Sequence, residues 1–142
     1  MRFMIIRKAD AETEAEVMPS TELIEAMTAY NEKLSKAGVL VGGDGLLASS
    51  RGARIKFANG RPTVTDGPFA EAKELIAGYT MIEVASREEA LEWVRQWPPE
   101  DGHGSVELEL RQVATAEDFG DAMTPELIER EAAMRIAEHA RK

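Results

Sequence analysis

Apolar residues recur with two different periods along this chain, and the periods predict strands and helices. The run at 2–7 is short and apolar, which is typical of a buried strand. Leucine, methionine and tyrosine then recur at helical spacing over 23–37. Ser20 and Thr21 are both good N-cap residues and Gly38 suits a left-handed C-cap, so a helix is predicted to start near Ser20 or Thr21 and to end at Gly38. The acidic stretch 10–19 lacks a period, and we expect a loop there.

The middle of the chain combines glycine with short β-type runs. Positions 39–48 are apolar but dense in glycine, which favours a bulged strand that another group approaches closely. Two short strands at 54–57 and 63–65 flank the Asn-Gly pair at 59–60, a dipeptide typical of a type I′ hairpin. A further strand is predicted at 78–84, where aromatic and β-branched residues are frequent.

The last third of the chain predicts two more helices and one more strand. Ser86 with Glu89 three residues later has the form of a capping box, and Pro98 ends the helix that follows. The stretch 105–113 alternates apolar and charged residues, as a half-buried strand does. Thr124 and the proline after it begin a helix that continues to the end of the chain.

This order of elements predicts an α+β fold. Without the hairpin it is β-α-β-β-α-β, the ferredoxin-like plan, in which two helices cover one face of an antiparallel sheet. A large open sheet face is usually covered by another chain, and a two-fold dimer is the commonest closed solution. We therefore expect a homodimer built from a ferredoxin-like domain at 1–113, with a C-terminal helical extension at 114–142 laid on the core or on a partner.

Composition narrows the class of protein. A chain of 142 residues with 44% hydrophobic and 30% charged residues is typical of a single globular domain. The absence of cysteine excludes a disulfide scaffold, thiolate zinc sites and cysteine catalysis, and it is compatible with a cytoplasmic location. No signal-peptide core or membrane span is expected. A net charge of −9 argues against nucleic acid and anionic membranes as partners.

The run Asp66-Gly67-Pro68-Phe69 carries more specific chemistry than a connection between strands requires. This run has two interpretations. Asp, Gly and Pro together make a defined turn, after which Phe69 would enter the core. Alternatively, the rigid turn holds the carboxylate of Asp66 at the mouth of a cleft, since loops on a scaffold often carry sites.

Two further groups are candidates for the same chemistry. Lys73 and Glu74 are either a solvated charge run or a partner for Asp66 or an anionic ligand. Glu107 lies opposite the apolar residues of the last strand, so a face-to-face dimer would enclose it. An enclosed carboxylate needs a partner, and Arg7, Arg54 and Lys73 are the candidates.

The sequence predicts no metal site and no cofactor. His103 lies in a loop, His139 lies near the chain end, and no second histidine is found at metal-ligand spacing. The Gly42-Gly43-Asp44-Gly45 run resembles neither a P-loop nor a dinucleotide fingerprint. We interpret it as a bulged strand with room for a ligand or a neighbouring backbone.

These motifs together resemble the YCII-related family, specifically its DGPF branch, which is named for the run at 66–69. The likeness extends to the glycine-rich strand at 39–46, the segments 70–74 and 78–79, and the start of the last strand at 104–107. The resemblance implies a dimeric α+β barrel and relatives among small enzymes such as muconolactone isomerases. It also suggests a link to sigma-factor signalling. The histidine–aspartate pair of some members cannot be carried over, because the first long helix lacks histidine.

Two functions are therefore expected. One is acid/base chemistry of the isomerase or lyase kind on a small organic acid or metabolite, with Asp66 and Glu107 as the acid/base groups. The other is a non-catalytic ligand-binding or regulatory interaction module. Either function uses a ligand site whose expected residues are Gly43, Phe69, Lys73, Glu74 and Tyr79.

Overall fold

The computed structural model describes the backbone of residues 1–140 and the side chains of residues 1–135. The chain forms two compact units, of which the first is Met1–Gln112 and the second begins at Val113. The predicted boundary at 113/114 lies next to this division.

The described residues form six strands and four α-helices. The strands are β1 (Arg2–Lys8), β2 (Leu40–Gly45), β3 (Ala53–Ala58), β4 (Arg61–Asp66), β5 (Ile76–Glu83) and β6 (Leu108–Gln112). The helices are α1 (Ala11–Glu14), α2 (Thr21–Lys36), α3 (Arg87–Val94) and α4 (Pro125–Ala140). The predicted order of strands, long helices and hairpin is confirmed, with short helical turns added between them.

The first unit is a mixed α+β fold. Four strands form one sheet in the order β2-β5-β1-β6, and every neighbouring pair in it is antiparallel. Phe3 and Ile5 of β1, Ile82 of β5, and Tyr30 and Leu34 of α2 meet in the core. Each such side chain stabilises the fold by about 1.5–3 kcal/mol when it is removed from water. The core therefore lies between one sheet face and the helices.

Sequence signals for the long helices and the hairpin are confirmed. The Ser20 hydroxyl accepts a hydrogen bond from the Leu23 amide at 3.1 Å and caps α2. Strands β3 and β4 pair around Asn59 and Gly60, which both have positive φ, as a type I′ turn requires. The predicted bulge in β2 is present, since its register against β5 shifts between Leu40 and Gly42.

Two short elements were wrongly predicted. The stretch 10–19 contains α1, because Asp10 and Thr13 cap each other's backbone amides at 2.9 and 2.8 Å. Four helical residues are too few to show a period. The last strand begins at Leu108 rather than at 105, because the Ser105 amide donates to the Gly102 carbonyl at 2.9 Å and closes the preceding 3₁₀ turn over Asp101–Gly104.

The second unit contains a 3₁₀ segment at Ala116–Ala122 and then α4. The Thr124 hydroxyl accepts a hydrogen bond from the Leu127 amide at 3.3 Å, as expected of an N-cap. The side chain of His139, which the sequence places near the chain end, lies outside the described side chains. Within residues 1–140, no helix has both the length and the hydropathy needed to cross a membrane.

Candidate functional site

A cleft of about 670 Å³ lies between α2 and the edge of the main sheet. Its helical wall combines apolar and small polar side chains, and its sheet side is formed by β2 and the start of β5. The wall residues on α2 are Leu23, Ile24, Met27, Thr28 and Asn31. Volumes of roughly 300–1,000 Å³ are typical of small-molecule sites. The cleft is therefore large enough to hold a metabolite.

The floor of the cleft is nearly bare backbone, because glycines occupy the sheet positions there. Gly42, Gly43 and Gly45 of β2 and Gly78 of β5 all border it. A Cβ atom on Gly43 would come within 2.6 Å of the Tyr79 carbonyl oxygen. Any larger residue at Gly43 would thus force the two strands apart. The sequence predicted room here for either a ligand or a neighbouring backbone. At Gly43 that neighbour is the backbone of β5.

The inner end of the cleft contains a buried ion pair. The Nη2 and Nε atoms of Arg7 donate to the two carboxylate oxygens of Asp101 at 2.8 and 3.1 Å. The indole nitrogen of Trp97 donates to the same carboxylate at 2.9 Å. Both charged residues are buried. A bidentate ion pair with a third hydrogen-bond donor has the geometry that a buried carboxylate needs.

The electrostatics of this pair keep both groups charged. The hydrogen bond to Asp101 raises the pKa of Arg7 above its ordinary value, even though burial opposes it. Burial of Asp101 acts to raise its pKa, but hydrogen bonds from Arg7 and Trp97 and the charge of Arg7 outweigh that effect. The pKa of Asp101 is therefore lowered. A charge-assisted network of this kind fixes the loop that carries Asp101.

The two donors on the Nη1 atom of Arg7 are also used within the protein. Its Nη1 atom donates to the Lys8 carbonyl oxygen at 2.8 Å and to the Asp10 carboxylate at 3.1 Å. Arg7, one of the three candidate partners of Glu107, therefore uses these donors elsewhere. The reason is strand alternation: Arg7 shares the inward face of β1 with Phe3 and Ile5, all three being buried.

A second cavity of about 810 Å³ adjoins the cleft and shares Arg7 and Asp101 with it. Apolar residues of 17–19 and 46–48 line it together with carboxylates of 10–22 and 100–101. We call this cavity the acidic groove. At its rim, the Nε2 atom of His103 lies 3.0 Å from a carboxylate oxygen of Glu12.

Two of the predicted ligand residues border the cleft. Gly43 forms part of its floor, and Tyr79 contributes from the neighbouring strand. The side chain of Tyr79 lies on the sheet face opposite to buried Thr80, and its hydroxyl donates to Asp44 at 3.2 Å. That hydrogen bond raises the pKa of Tyr79.

The other predicted site residues lie elsewhere. Phe69 borders a smaller cavity of about 340 Å³, with the Arg54 guanidinium 4.1 Å from its ring centroid. Asp66, Lys73, Glu74 and Glu107 are exposed, and none of these four lines any of the three cavities among the described residues. Their roles stay predictions.

Hydrogen bonds anchor the run at 66–69 to the segment 49–52. The Gly67 amide donates to the Gly52 carbonyl at 3.0 Å, and the Phe69 amide donates to the Ser49 hydroxyl at 3.0 Å. A Cβ atom on Gly67 would collide with the Ser49 carbonyl oxygen. The run therefore fixes the base of the β3–β4 hairpin, and Phe69 is not part of the main core.

The network of Arg7, Trp97 and Asp101 was not predicted from the sequence. A signal for it was present, since Arg7 occupies an inward position in a strand of otherwise apolar inward residues. A buried arginine needs a carboxylate partner. The sequence offered 26 acidic residues, however, and periodicity does not select among them. Among the described side chains, no group of three or more histidine, aspartate or glutamate residues is arranged to hold a metal ion.

A four-stranded antiparallel sheet with helices on one face and a cleft at its edge defines a small α+β protein with a ligand-sized site. The chain belongs to the YCII-related domain family, whose pattern it matches over residues 1–113. An uncharacterized protein of Rhizobium meliloti is 36% identical to it over 69 residues, which is 49% of this chain and 56% of that protein. The chain thus matches little more than half of that relative's length.

A solved structure that this chain partly resembles is the 5-chloro-2-hydroxyhydroquinone dehydrochlorinase of Burkholderia phenoliruptrix, in complex with 2,5-dihydroxybenzoquinone. It is 17% identical, with a TM-score of 0.47, and the match covers 83% of this chain and 98% of that one. That ligand and that activity belong to the dehydrochlorinase.

Proposed function

We propose that this protein binds a small organic molecule in the cleft between α2 and β2. The observation that carries the proposal is the preformed cavity of about 670 Å³ with a floor of glycine backbone. A mostly apolar wall with a few fixed polar groups is the usual composition of a small-molecule site. Leu23 and Met27 supply the apolar surface, and Asn31 supplies a polar amide.

The charges around the cleft favour an uncharged metabolite over an organic acid. Arg7 borders the cleft, but four of its hydrogen bonds go to Asp101, Asp10 and the Lys8 carbonyl. Asp101 adds a carboxylate to the lining, whereas the Asp44 carboxylate accepts from Tyr79 on the opposite sheet face. An anionic ligand would meet the Asp101 carboxylate without a free guanidinium to offset it.

We further propose that two copies associate through the open sheet face, on a ferredoxin-like plan. The strand order β2-β5-β1-β6 supports that plan. Met4 pairs with Met81 in the sheet register, and Ile6 pairs with Tyr79. All four side chains lie on the face away from the core and are only partly buried. A half-exposed apolar stripe of this kind supports a homodimer. Membership of the DGPF branch is supported by the run at 66–69.

A second candidate function is proton transfer by Asp66 and Glu107. The support for it is the position of Glu107 beside the open face, where its carbonyl oxygen accepts the Lys8 amide at 3.1 Å. A covering subunit would enclose that carboxylate. In the single chain both carboxylates are exposed, so binding without catalysis is the function that the geometry favours.

A ligand screen by thermal shift tests the binding proposal. Met27→Trp would fill the cleft, whereas Ala29→Trp places the same bulk on an exposed α2 position outside the cleft lining. A ligand at 100 times its Kd stabilises a protein by about 2.7 kcal/mol. We expect a hit to raise the melting temperature of the wild type and of Ala29→Trp, and to lose most of that rise in Met27→Trp.

The proposal fails if both tryptophan variants respond to the hits as the wild type does. Loss of the response in Asp66→Asn with retention in Met27→Trp would instead place the ligand at the predicted carboxylate.

A further inference from the structure

The cavity of about 340 Å³ at the base of the β3–β4 hairpin is not used by the proposed function. We call this cavity the corner pocket. Its lining is mainly apolar and partly exposed: Leu47 is 75% exposed, Leu46 is 45% exposed and Ile76 is 41% exposed. The volume falls within the roughly 300–1,000 Å³ typical of small-molecule sites. The corner pocket is therefore large enough to hold a small organic molecule.

A cation is held at a fixed position on this lining. The Arg54 guanidinium lies 4.1 Å from the centroid of the Phe69 ring, and both side chains line the pocket. Phe69 is itself anchored, because its amide donates to the Ser49 hydroxyl at 3.0 Å. A guanidinium is attracted to the face of an aromatic ring at such a distance. The run at 66–69 thus positions the charge of Arg54.

Arg54 has no acceptor of its own. Among the described side chains, Arg7 and Arg51 are paired with carboxylates, whereas Arg54 makes neither an ion pair nor a side-chain hydrogen bond. A guanidinium that stacks through its face keeps its N–H edge free to donate. That edge matches the two oxygens of a carboxylate. The corner pocket therefore presents a positioned donor fork beside an apolar surface.

Within the described part of the chain, Glu14 is the one carboxylate on this lining. Its Oε2 atom accepts a hydrogen bond from the Ser49 amide at 2.8 Å, which offsets part of its charge. The balance differs from that in the cleft, where Arg7 already pairs with Asp101. An anionic ligand in the corner pocket meets a guanidinium that is still available.

We propose that the corner pocket binds a small apolar carboxylic acid. The carboxylate accepts hydrogen bonds from the Arg54 guanidinium, and the hydrocarbon part contacts the leucine and isoleucine side chains of the lining. An apolar site with a few placed polar groups is the usual composition of a small-molecule site. This site is separate from the function proposed for the cleft and does not depend on it.

Calorimetric titration with unbranched carboxylates from butanoate to octanoate tests the proposal. We expect the affinity to rise with chain length until the pocket is filled, because each further methylene is removed from water. The primary amide of each acid should bind about tenfold more weakly or worse, since it cannot make charge-assisted hydrogen bonds with Arg54. The probes are anions, whereas the ligand expected in the cleft is uncharged, so the two tests are independent.

Matched variants of the hairpin assign the carboxylate to Arg54. Arg54→Gln removes the cation of the pocket, and Arg61→Gln removes the same group from the same face of the hairpin, outside the lining. We expect Arg54→Gln to lose at least about tenfold in affinity for the acid. Arg61→Gln should bind it as the wild type does. Met27→Trp should also bind it unchanged, because that substitution fills the cleft.

Amide shifts measured by NMR locate the acid on the protein. Titration with the tightest-binding acid should move the amides of Ser49 and Phe69, which lie on the pocket, and leave that of Gly43 on the cleft floor unmoved. Circular dichroism on each variant confirms that the fold is retained.

Four outcomes overturn the proposal. They are no saturable binding of any acid in the series, equal binding of an acid and its amide, equal losses in Arg54→Gln and Arg61→Gln, and shifts at Gly43 without shifts at Phe69. Affinity that is lost in Met27→Trp but kept in Arg54→Gln likewise contradicts the assignment, because it places the acid in the cleft.

Discussion

Arg7 illustrates how one residue can determine the geometry around it. Its inward position in β1 is one that an apolar side chain would normally occupy. Burial there requires a charged partner, and Asp101 supplies it from 94 residues further along the chain. The pair joins β1 to the turn before β6 and thereby fixes the position of the residues at the inner end of the cleft.

Asp101→Asn is expected to destabilise the protein at neutral pH by about 3 kcal/mol, because Arg7 would remain buried without its main partner. The pKa of Asp101 is lowered in the folded state, so its contribution is complete well above the ordinary value of 3.8 and is lost as the pH falls below that value. The variant should therefore lose less stability than the wild type on acidification below roughly pH 4.

Urea unfolding at several pH values measures this effect. Glu32→Gln removes an exposed carboxylate from α2 and serves as the control. If Asp101→Asn is as stable at neutral pH as Glu32→Gln, the ion pair does not have the structural role assigned to it.

Gly67 is required by the packing of the corner at 66–69. Gly67→Ala is expected to cost about 1–3 kcal/mol, because its Cβ would overlap the Ser49 carbonyl oxygen. Gly52→Ala is the matched control, since a Cβ there lies 3.6 Å from the same oxygen, an ordinary contact. Thermal unfolding of the two variants makes the comparison. Equal losses at both positions would mean that the close approach at Gly67 is not specific.

At the scale of elements, the glycine-rich strand β2 links sequence to site most directly. Its glycine content predicted a bulge and a close approach, and both are present. The periodic apolar stripe of α2 was sufficient to predict that helix, and the Asn59-Gly60 dipeptide was sufficient to predict the hairpin turn. The short α1 and the 3₁₀ turn at Asp101–Gly104 gave no period, because each has four residues.

Within β2, neighbouring glycines should respond differently to the same substitution. Gly43→Ala is expected to destabilise the protein by about 1–3 kcal/mol, because its Cβ would meet the backbone of β5. Gly42→Ala should change stability by less than about 0.5 kcal/mol, since a Cβ there has no atom within 4 Å. Chemical denaturation of the pair tests this prediction. A loss at Gly42 as large as that at Gly43 would contradict the described register.

At the scale of the whole molecule, the cleft could not be read from the sequence. It is lined by residues from β1, α2, β2 and β5 and from the turn before β6. Side-chain periodicity identifies which residues of one element share a face, but it does not say which distant elements meet. The run at 66–69 stood out in the sequence for its composition, and the structure gives it a supporting role at the base of the β3–β4 hairpin.

Glycine amide shifts measured by NMR test the binding proposal most directly. On titration with a ligand that raises the melting temperature, we expect the amides of Gly42, Gly43, Gly45 and Gly78 to move, because they form the cleft floor. The amide of Gly60, at the tip of the β3–β4 hairpin, is the internal reference and should not move. Stabilising ligands that leave the four floor amides unchanged, or that move Gly60 equally, would contradict a ligand site in the cleft.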